Sequence, residues 1–88
     1  MLTVTNPATG QVVREAPAGD ADTIHRVVER SQAAYIKWKD FGFERRAQVL
    51  LKVATIMRDD IETLAPLMTQ EMGKPIKEAR AEVVKAAW

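Results

Sequence analysis

The sequence predicts a mainly α-helical fold that begins with a β-hairpin. Residues 1–15 contain two short runs of alternating or β-branched residues, and from residue 20 onward apolar residues recur at helical spacing. The first pattern is typical of strands and the second of amphipathic helices. We therefore expect a hairpin in residues 1–15 and then about four helices. Their expected bounds are 20–39, 43–58, 60–72 and 75–88.

The strands of the hairpin are expected at Leu2–Thr5, where apolar and polar residues alternate, and at Gln11–Arg14. Between them lies a five-residue connection, N-P-A-T-G. Pro7 fixes its own φ near −65°, and Gly10 can adopt the positive φ that closes such a turn. Because an isolated two-stranded hairpin is marginally stable in water, this hairpin needs a surface to pack on.

The first helix is expected to follow Pro17 and Gly19, which end the hairpin. Asp20 or Asp22 can cap it by accepting hydrogen bonds from the free amides of its first turn. The helix is expected to run to about Lys39. Its apolar face is formed by Ile24, Val27, Val28, Tyr35 and Trp38.

The second helix follows the aromatic segment Phe41–Phe43, and Glu44 suits the positive end of its dipole. One face carries Ala47, Leu50, Leu51, Ala54 and Met57, and the apolar surface is widened by Val49, Val53 and Ile56. A surface wider than a single stripe predicts contact with more than one neighbour.

The sequence predicts a tight corner between the third and fourth helices. Asp59 or Asp60 can cap the third helix, whose apolar positions are Ile61, Leu64, Ala65, Met68 and Met72. Pro66 removes a hydrogen bond inside that helix, so we expect a kink or an irregular first turn. Gly73 suits the left-handed end of a helix and Pro75 the first turn of the next.

The fourth helix is expected to bury Ile76, Ala79, Val83, Ala86 and Ala87. Its apolar pattern reaches Trp88 without a glycine, a proline or a polar cap. We therefore expect the helix to be cut off in mid-course and the chain to be a piece of a longer protein.

Composition excludes several classes of function. Thirteen basic and twelve acidic side chains give a net charge of +1 and are mixed along the chain, so we expect no nucleic-acid partner. No apolar run approaches the ~20 residues needed to span a bilayer, and the N-terminus lacks the basic region and apolar core of a signal peptide, so we expect a cytoplasmic protein without membrane contact. The chain has no cysteine, which excludes a thiol nucleophile within it.

No residue qualifies as catalytic, cofactor-binding or metal-ligating. Gly73-Lys74 lacks both the first glycine and the hydroxyl residue of a phosphate-binding loop. His25 is the only histidine and has no partner at triad or metal-site spacing. Glu78 and Glu82 share a helix face, but Lys74 and Lys85 lie at ion-pair spacing from them, which favours a solvated series of ion pairs.

The methionines and aromatic residues allow two interpretations. They could form an adaptable ligand-binding surface, or they could pack in the core, which their helical spacing favours. The set comprises Tyr35, Trp38, Phe41, Phe43, Met57, Met68 and Met72.

Several segments, taken in order, resemble one enzyme family. Asn6–Gly10, the helix ending near Trp38, Glu44–Arg46 and the run E-M-G-K-P-I-K-E-A-R at Glu71–Arg80 resemble the N-terminal region of NAD(P)-dependent aldehyde dehydrogenases. Glu71–Pro75 and the ending from Ala79 to Trp88 are most like the succinate-semialdehyde dehydrogenase branch.

This resemblance implies an α/β parent enzyme with a Rossmann-like cofactor domain, of which residues 1–88 form a single N-terminal segment. The parent would oxidise an aldehyde, possibly succinate semialdehyde, through a cysteine thiolate, hydride transfer to NAD or NADP, and hydrolysis assisted by a glutamate. None of these residues maps onto this chain. The chain alone is therefore expected to be an inactive scaffold that binds no cofactor, with the remainder of the parent and further copies of it as partners.

Two alternatives stay open at this point. Some aldehyde dehydrogenases hold a structural monovalent cation near this helix, and the resemblance makes Glu82 the nearest match, with backbone carbonyls of Val4 and Thr5 as further ligands. The chain could also be a self-standing helical interaction or oligomerisation module instead of part of an enzyme.

Overall fold

The computed structural model describes all residues from Met1 to Trp88. It is mainly helical with an N-terminal antiparallel hairpin, which confirms the predicted fold class. The elements are β1 (Leu2–Thr5), β2 (Val12–Ala16), α1 (Ala21–Lys39), α2 (Gly42–Asp59), α3 (Ile61–Met72) and α4 (Ile76–Ala87).

The hairpin pairs Leu2 with Ala16, and its register shifts where Thr5 pairs with Val12. The carbonyl of Gln11 accepts a hydrogen bond of 2.9 Å from the amide of Asn6, so Gln11 belongs to the turn and not to the strand as predicted. Gly10 has the expected positive φ of 72°. The connection is consequently one residue longer than the sequence suggested.

Helix α1 is capped by Asp20, one of the two aspartates considered. Its carboxylate accepts hydrogen bonds from the amide and the hydroxyl of Thr23 at 2.8 and 2.7 Å. These bonds lower the pKa of Asp20 from its ordinary value. The helix ends at Lys39, as predicted.

The junction between α1 and α2 is built from aromatic rings. Trp38 and Phe41 lie with their ring centroids 5.7 Å apart and their planes tilted by 50°. The guanidinium of Arg45 lies over the ring of Phe41 at 4.5 Å. Such tilted pairs and cation–π contacts hold the two helices at this elbow.

Helix α3 starts directly after Asp60, but the side chain of Asp60 makes no capping hydrogen bond. Its backbone carbonyl accepts instead from the amides of Thr63 and Leu64, both at 2.9 Å. Pro66 stands inside α3, and the helix continues beyond it to Met72. The proline therefore does not end the helix, although it leaves one turn without its hydrogen bond.

The corner between α3 and α4 has the predicted chemistry. Gly73 ends α3 in the left-handed conformation, with φ of 77°, and its amide donates to the carbonyl of Thr69. Pro75 immediately precedes Ile76 at the N-cap, one residue earlier than the first-turn position predicted for it.

The core lies where α3 crosses α4. Ala65, Ala79 and Val83 are almost completely buried there. Alanine at a helix crossing lets the two backbones approach closely, and larger side chains then fill the margins. Those flanking side chains are Met57, Ile61, Leu64, Met68 and Ile76.

Burial elsewhere is sparse, and α1 contains no buried residue. The prediction of core packing for the aromatic and methionine set is wrong for four members, whose side chains are exposed: Tyr35, Phe41, Phe43 and Met72. They lie on faces that point away from the single α3–α4 core.

The molecule is a thin, open slab. Its radius of gyration is 17.1 Å and its extents are 47 × 35 × 13 Å. A compact chain of this length has a radius of gyration of about 12 Å. None of the four helices combines the length and hydrophobicity that crossing a membrane requires.

Candidate functional site

The hairpin turn lies directly against the α3–α4 corner, so two segments far apart in sequence meet. A Cβ placed on Gly73 would lie 2.8 Å from Cγ of Pro7. That separation is shorter than real carbon–carbon contacts allow. Gly73 is thus needed for its positive φ and also for the close approach of the proline ring.

An ion pair fixes the same contact from the second strand. Nη1 of Arg14 lies 2.8 Å from Oε1 of Glu71, at the end of α3. Together with the contact between Pro7 and Gly73, this pair gives the hairpin the packing surface that it needs. Two of the segments that suggested a family, Asn6–Gly10 and Glu71–Arg80, therefore meet in one structural junction.

Lys74 pairs with Glu82 along α4. The prediction paired Lys74 with Glu78 and Glu82 with Lys85, and the structure contradicts that pattern. The ammonium of Lys74 is held by the Glu82 carboxylate. Glu82 therefore has an ammonium partner, and no group of three acidic, histidine or cysteine side chains that could hold a metal ion is assembled in the structure.

A second pair joins α3 to α4. Arg80 donates from Nε and Nη2 to the two carboxylate oxygens of Glu62, at 2.9 and 3.1 Å. This two-pronged hydrogen bonding lowers the pKa of Glu62 and raises the pKa of Arg80. Both side chains face solvent, so the pair mainly orients the helices.

Two kinds of open surface remain. A groove between α2 and the end of α4 is lined only by hydrophobic side chains, whereas the hollow along α1 includes Arg30, Ser31 and Lys37. His25 lies exposed on α1, apart from both. The structure brings together no nucleophile, base and orienting group.

Sequence reasoning located the corner but missed its partners. The pairs Glu62–Arg80 and Arg14–Glu71 join separate elements, and no local spacing indicates them. A glycine followed by Lys-Pro signals a helix end, but it does not reveal that a proline ring must fit beside the glycine.

The sequence matches the aldehyde dehydrogenase family over residues 1–88. The chain belongs to this family. Among its relatives is the succinate semialdehyde dehydrogenase Sad of Escherichia coli (strain K12), whose name carries NAD(P)+. It is 38% identical over 82 residues, which are 93% of this chain and 18% of that protein.

Other relatives are also named semialdehyde dehydrogenases. The malonate-semialdehyde dehydrogenase of Bacillus pumilus (strain SAFR-032) is 39% identical over 80 residues, or 91% of this chain and 16% of that protein. A probable NADP(+) succinate-semialdehyde dehydrogenase of Sinorhizobium fredii (strain NBRC 101917 / NGR234) is 36% identical over 86 residues, or 98% of this chain and 18% of that protein. The chain thus spans less than a fifth of the length of these relatives.

Proposed function

We propose that this chain is the N-terminal segment of an NAD(P)+-dependent semialdehyde dehydrogenase and serves there as a scaffold without catalytic residues. The observation that carries the proposal is the family match over all 88 residues, combined with relatives of which the chain covers only 16 to 18%. Succinate semialdehyde is the first substrate to test, and malonate semialdehyde is the second, because the relatives carry these names.

The open shape supports a scaffold role. The accessible surface is 7315 Å², whereas a compact monomer of this mass exposes about 5,200 Å². The difference of about 2,100 Å² exceeds the roughly 800 Å² that each partner buries in a standard stable interface. The exposed surface is thus large enough for a substantial packing partner.

The chemistry available in the chain supports the same division of labour. A thiol mechanism needs a cysteine thiolate, and the chain has no cysteine. Three of its glutamates are engaged in ion pairs: Glu71 with Arg14, Glu82 with Lys74 and Glu62 with Arg80. We therefore assign substrate oxidation and cofactor binding to the rest of the parent, which we propose to act as a cytoplasmic homo-oligomer.

Activity measurements test this proposal. The 88-residue chain and the full-length parent are incubated separately with succinate or malonate semialdehyde and with NAD+ or NADP+, and NAD(P)H formation is followed by absorbance. We expect the full-length parent to form NAD(P)H and the 88-residue chain to form none. Turnover by the 88-residue chain would refute the scaffold role, and a parent inactive on both aldehydes would refute the proposed substrate class.

A further inference from the structure

Helix α1 carries an exposed seam with heptad spacing. Its positions alternate in steps of three and four residues, which is the repeat by which two helices pack side by side. The seam consists of Ala21, Ile24, Val28, Ser31, Tyr35 and Trp38. None of these residues is buried, and Ile24, Val28 and Tyr35 are 58%, 61% and 54% exposed. Helix α1 thus presents a helix-pairing surface that the chain itself leaves uncovered.

The seam is complementary to itself when two copies of α1 run antiparallel. With a twofold axis midway between Val28 and Ser31, each layer joins one residue from either copy. The layers are Val28 with Ser31, Tyr35 with Ile24 and Trp38 with Ala21. In every layer a larger side chain meets a smaller one, which is how interdigitated helix interfaces reach close packing.

The charges on α1 favour the same orientation. Its N-terminal end is acidic, with Asp20 and Asp22, and its last turn is basic, with Lys37 and Lys39. Antiparallel pairing places the acidic end of each copy beside the basic end of the other, whereas parallel pairing sets like charges side by side. The two helix dipoles are also opposed in the antiparallel arrangement. Charge therefore selects the orientation, and burial of the apolar seam supplies the free energy.

The other open surface offers no comparable selection. The groove between α2 and the end of α4 is lined by hydrophobic residues alone, so no charge in it favours one orientation of a second copy. Only the α1 surface combines the heptad spacing, the matched sizes and the charge polarity that one antiparallel pairing requires.

We infer that two copies of the free 88-residue chain pair antiparallel through the α1 seam, about a twofold axis. Such an interface uses the same surface of both copies. Because the seam belongs to this chain, the pairing does not depend on the activity proposed for the parent. In dilute solution the copies separate and α1 is open, whereas at higher concentration each α1 covers the other.

Matched lysine substitutions test the surface. Val28→Lys places a charge on the seam, and Ile36→Lys places one on the same helix outside it. Both native side chains are exposed, by 61% and 50%, so neither substitution enters a buried position of the monomer. In sedimentation equilibrium, Val28→Lys should raise the dimer dissociation constant by about tenfold or more, and Ile36→Lys by less than about twofold. Equal constants would overturn the inference.

Leu51→Lys tests the competing surface, because Leu51 lines the α2–α4 groove and is 68% exposed. This substitution should leave the dimer dissociation constant unchanged. Association that is lost in Leu51→Lys and kept in Val28→Lys would assign the contact to the groove and refute pairing through α1.

Disulfide formation tests the orientation, and the cysteine-free chain makes the products simple to assign. Chains carrying Ile24→Cys and Tyr35→Cys are mixed in equal amounts in a glutathione redox buffer, and the dimers are sorted by mass. Antiparallel pairing brings the two different positions within disulfide reach and leaves like positions about 16 Å apart along the axis.

The mixed disulfide is expected to exceed the two like products together by several-fold. A statistical mixture, or an excess of like products, would contradict the antiparallel pairing. Failure of these tests refutes only the pairing through α1, whereas a parent inactive on both semialdehydes refutes only the proposed function.

Discussion

Gly73 satisfies two requirements that only glycine meets together. Its φ of 77° lies in the left-handed region, and Pro7 occupies the space where a side chain would begin. Gly10 has a similar φ of 72°, but a Cβ added there would have no heavy atom within 4 Å. A substitution at Gly10 therefore measures the free-energy cost of the left-handed conformation alone, whereas one at Gly73 adds the cost of the contact with Pro7.

Substituting Gly73→Ala should destabilise the α3–α4 core more than Gly10→Ala destabilises the hairpin. The left-handed conformation costs each alanine about 1–2 kcal/mol, and overpacking against the rigid proline ring adds about 1–3 kcal/mol at Gly73 alone. Amide hydrogen exchange measures the free energy of local opening. The loss at Val83 in Gly73→Ala is compared with the loss at Val4 in Gly10→Ala.

The contact term can be isolated by removing the ring. In a Pro7→Ala background, Gly73→Ala should cost less than in the unmodified chain, since the overlapping atom is gone. An unchanged cost in both backgrounds would show that Pro7 does not press on this position.

Acidification should weaken the link between α3 and α4 at Glu62. Arg80 lowers the pKa of Glu62 from its ordinary 4.5. The folded state therefore favours the charged carboxylate over the protonated form more strongly than the unfolded state does. The stabilising contribution is complete above the ordinary pKa and is lost as the pH falls through the lowered pKa.

Helix content measured by circular dichroism between roughly pH 6 and pH 3 checks this dependence. Glu62→Gln should make the acid decline shallower, and added salt should reduce the difference because the pair is exposed. Glu78→Gln is the control, since Glu78 forms no ion pair. Equal effects of the two substitutions would show that the Glu62–Arg80 pair does not cause the loss of helix content at low pH.

Helix α1 shows what local signals can and cannot specify. Asp20 and the apolar spacing predicted its existence and nearly its bounds, because capping and helical periodicity depend on neighbours a few residues away. They did not predict that its apolar face would stay open. Whether the face is covered depends on which element packs against it, and the spacing of apolar residues does not identify that element.

The α3–α4 pair shows the opposite result. The spacing that placed Ala65, Ala79 and Val83 on inward faces was sufficient, because the tight corner at Gly73 forces the two helices to be neighbours. The lateral links Arg14–Glu71 and Glu62–Arg80 could not be predicted, since they depend on how separate elements come together. The residues at the corner thus predict the corner itself, whereas its contacts depend on how the separate elements pack.

Amide exchange should divide the helices into two classes. We expect α1 to exchange faster than α3 and α4, because it buries no residue and most helical stability in proteins comes from tertiary packing. Exchange measured residue by residue by NMR provides the comparison. Equal protection of α1 and α4 in the 88-residue chain would contradict the view that α1 lacks a packing partner.

Asp20→Ala and Asp20→Asn form a matched pair at the same element. The alanine removes the acceptor for the amide of Thr23, whereas asparagine retains one. Protection in α1 should fall markedly in the first variant and only slightly in the second, with α3 and α4 unchanged in both.

At the scale of the whole molecule, only five of 88 residues are buried, so most of the apolar surface has no cover within the chain. Exposed contiguous apolar surface of this kind promotes association. In the function proposed above, the remainder of the parent enzyme covers these faces.

The isolated chain should bind a hydrophobic dye and self-associate as its concentration rises, while the folded parent should bind little dye. Sedimentation and dye fluorescence measured on the same samples provide the test. A dye-silent monomer with a sharp thermal transition would support the alternative of a self-standing helical module.

The sequence by itself determined the order of the elements, their approximate bounds, the corner at Gly73 and the family, because these depend on residue types at short spacing. Only the tertiary structure decided that Pro7 lies against Gly73, that Lys74 pairs with Glu82, and that α3 and α4 form the only core. The physical reason is that an apolar or charged face specifies a need for a partner, whereas the partner is chosen by how distant elements pack.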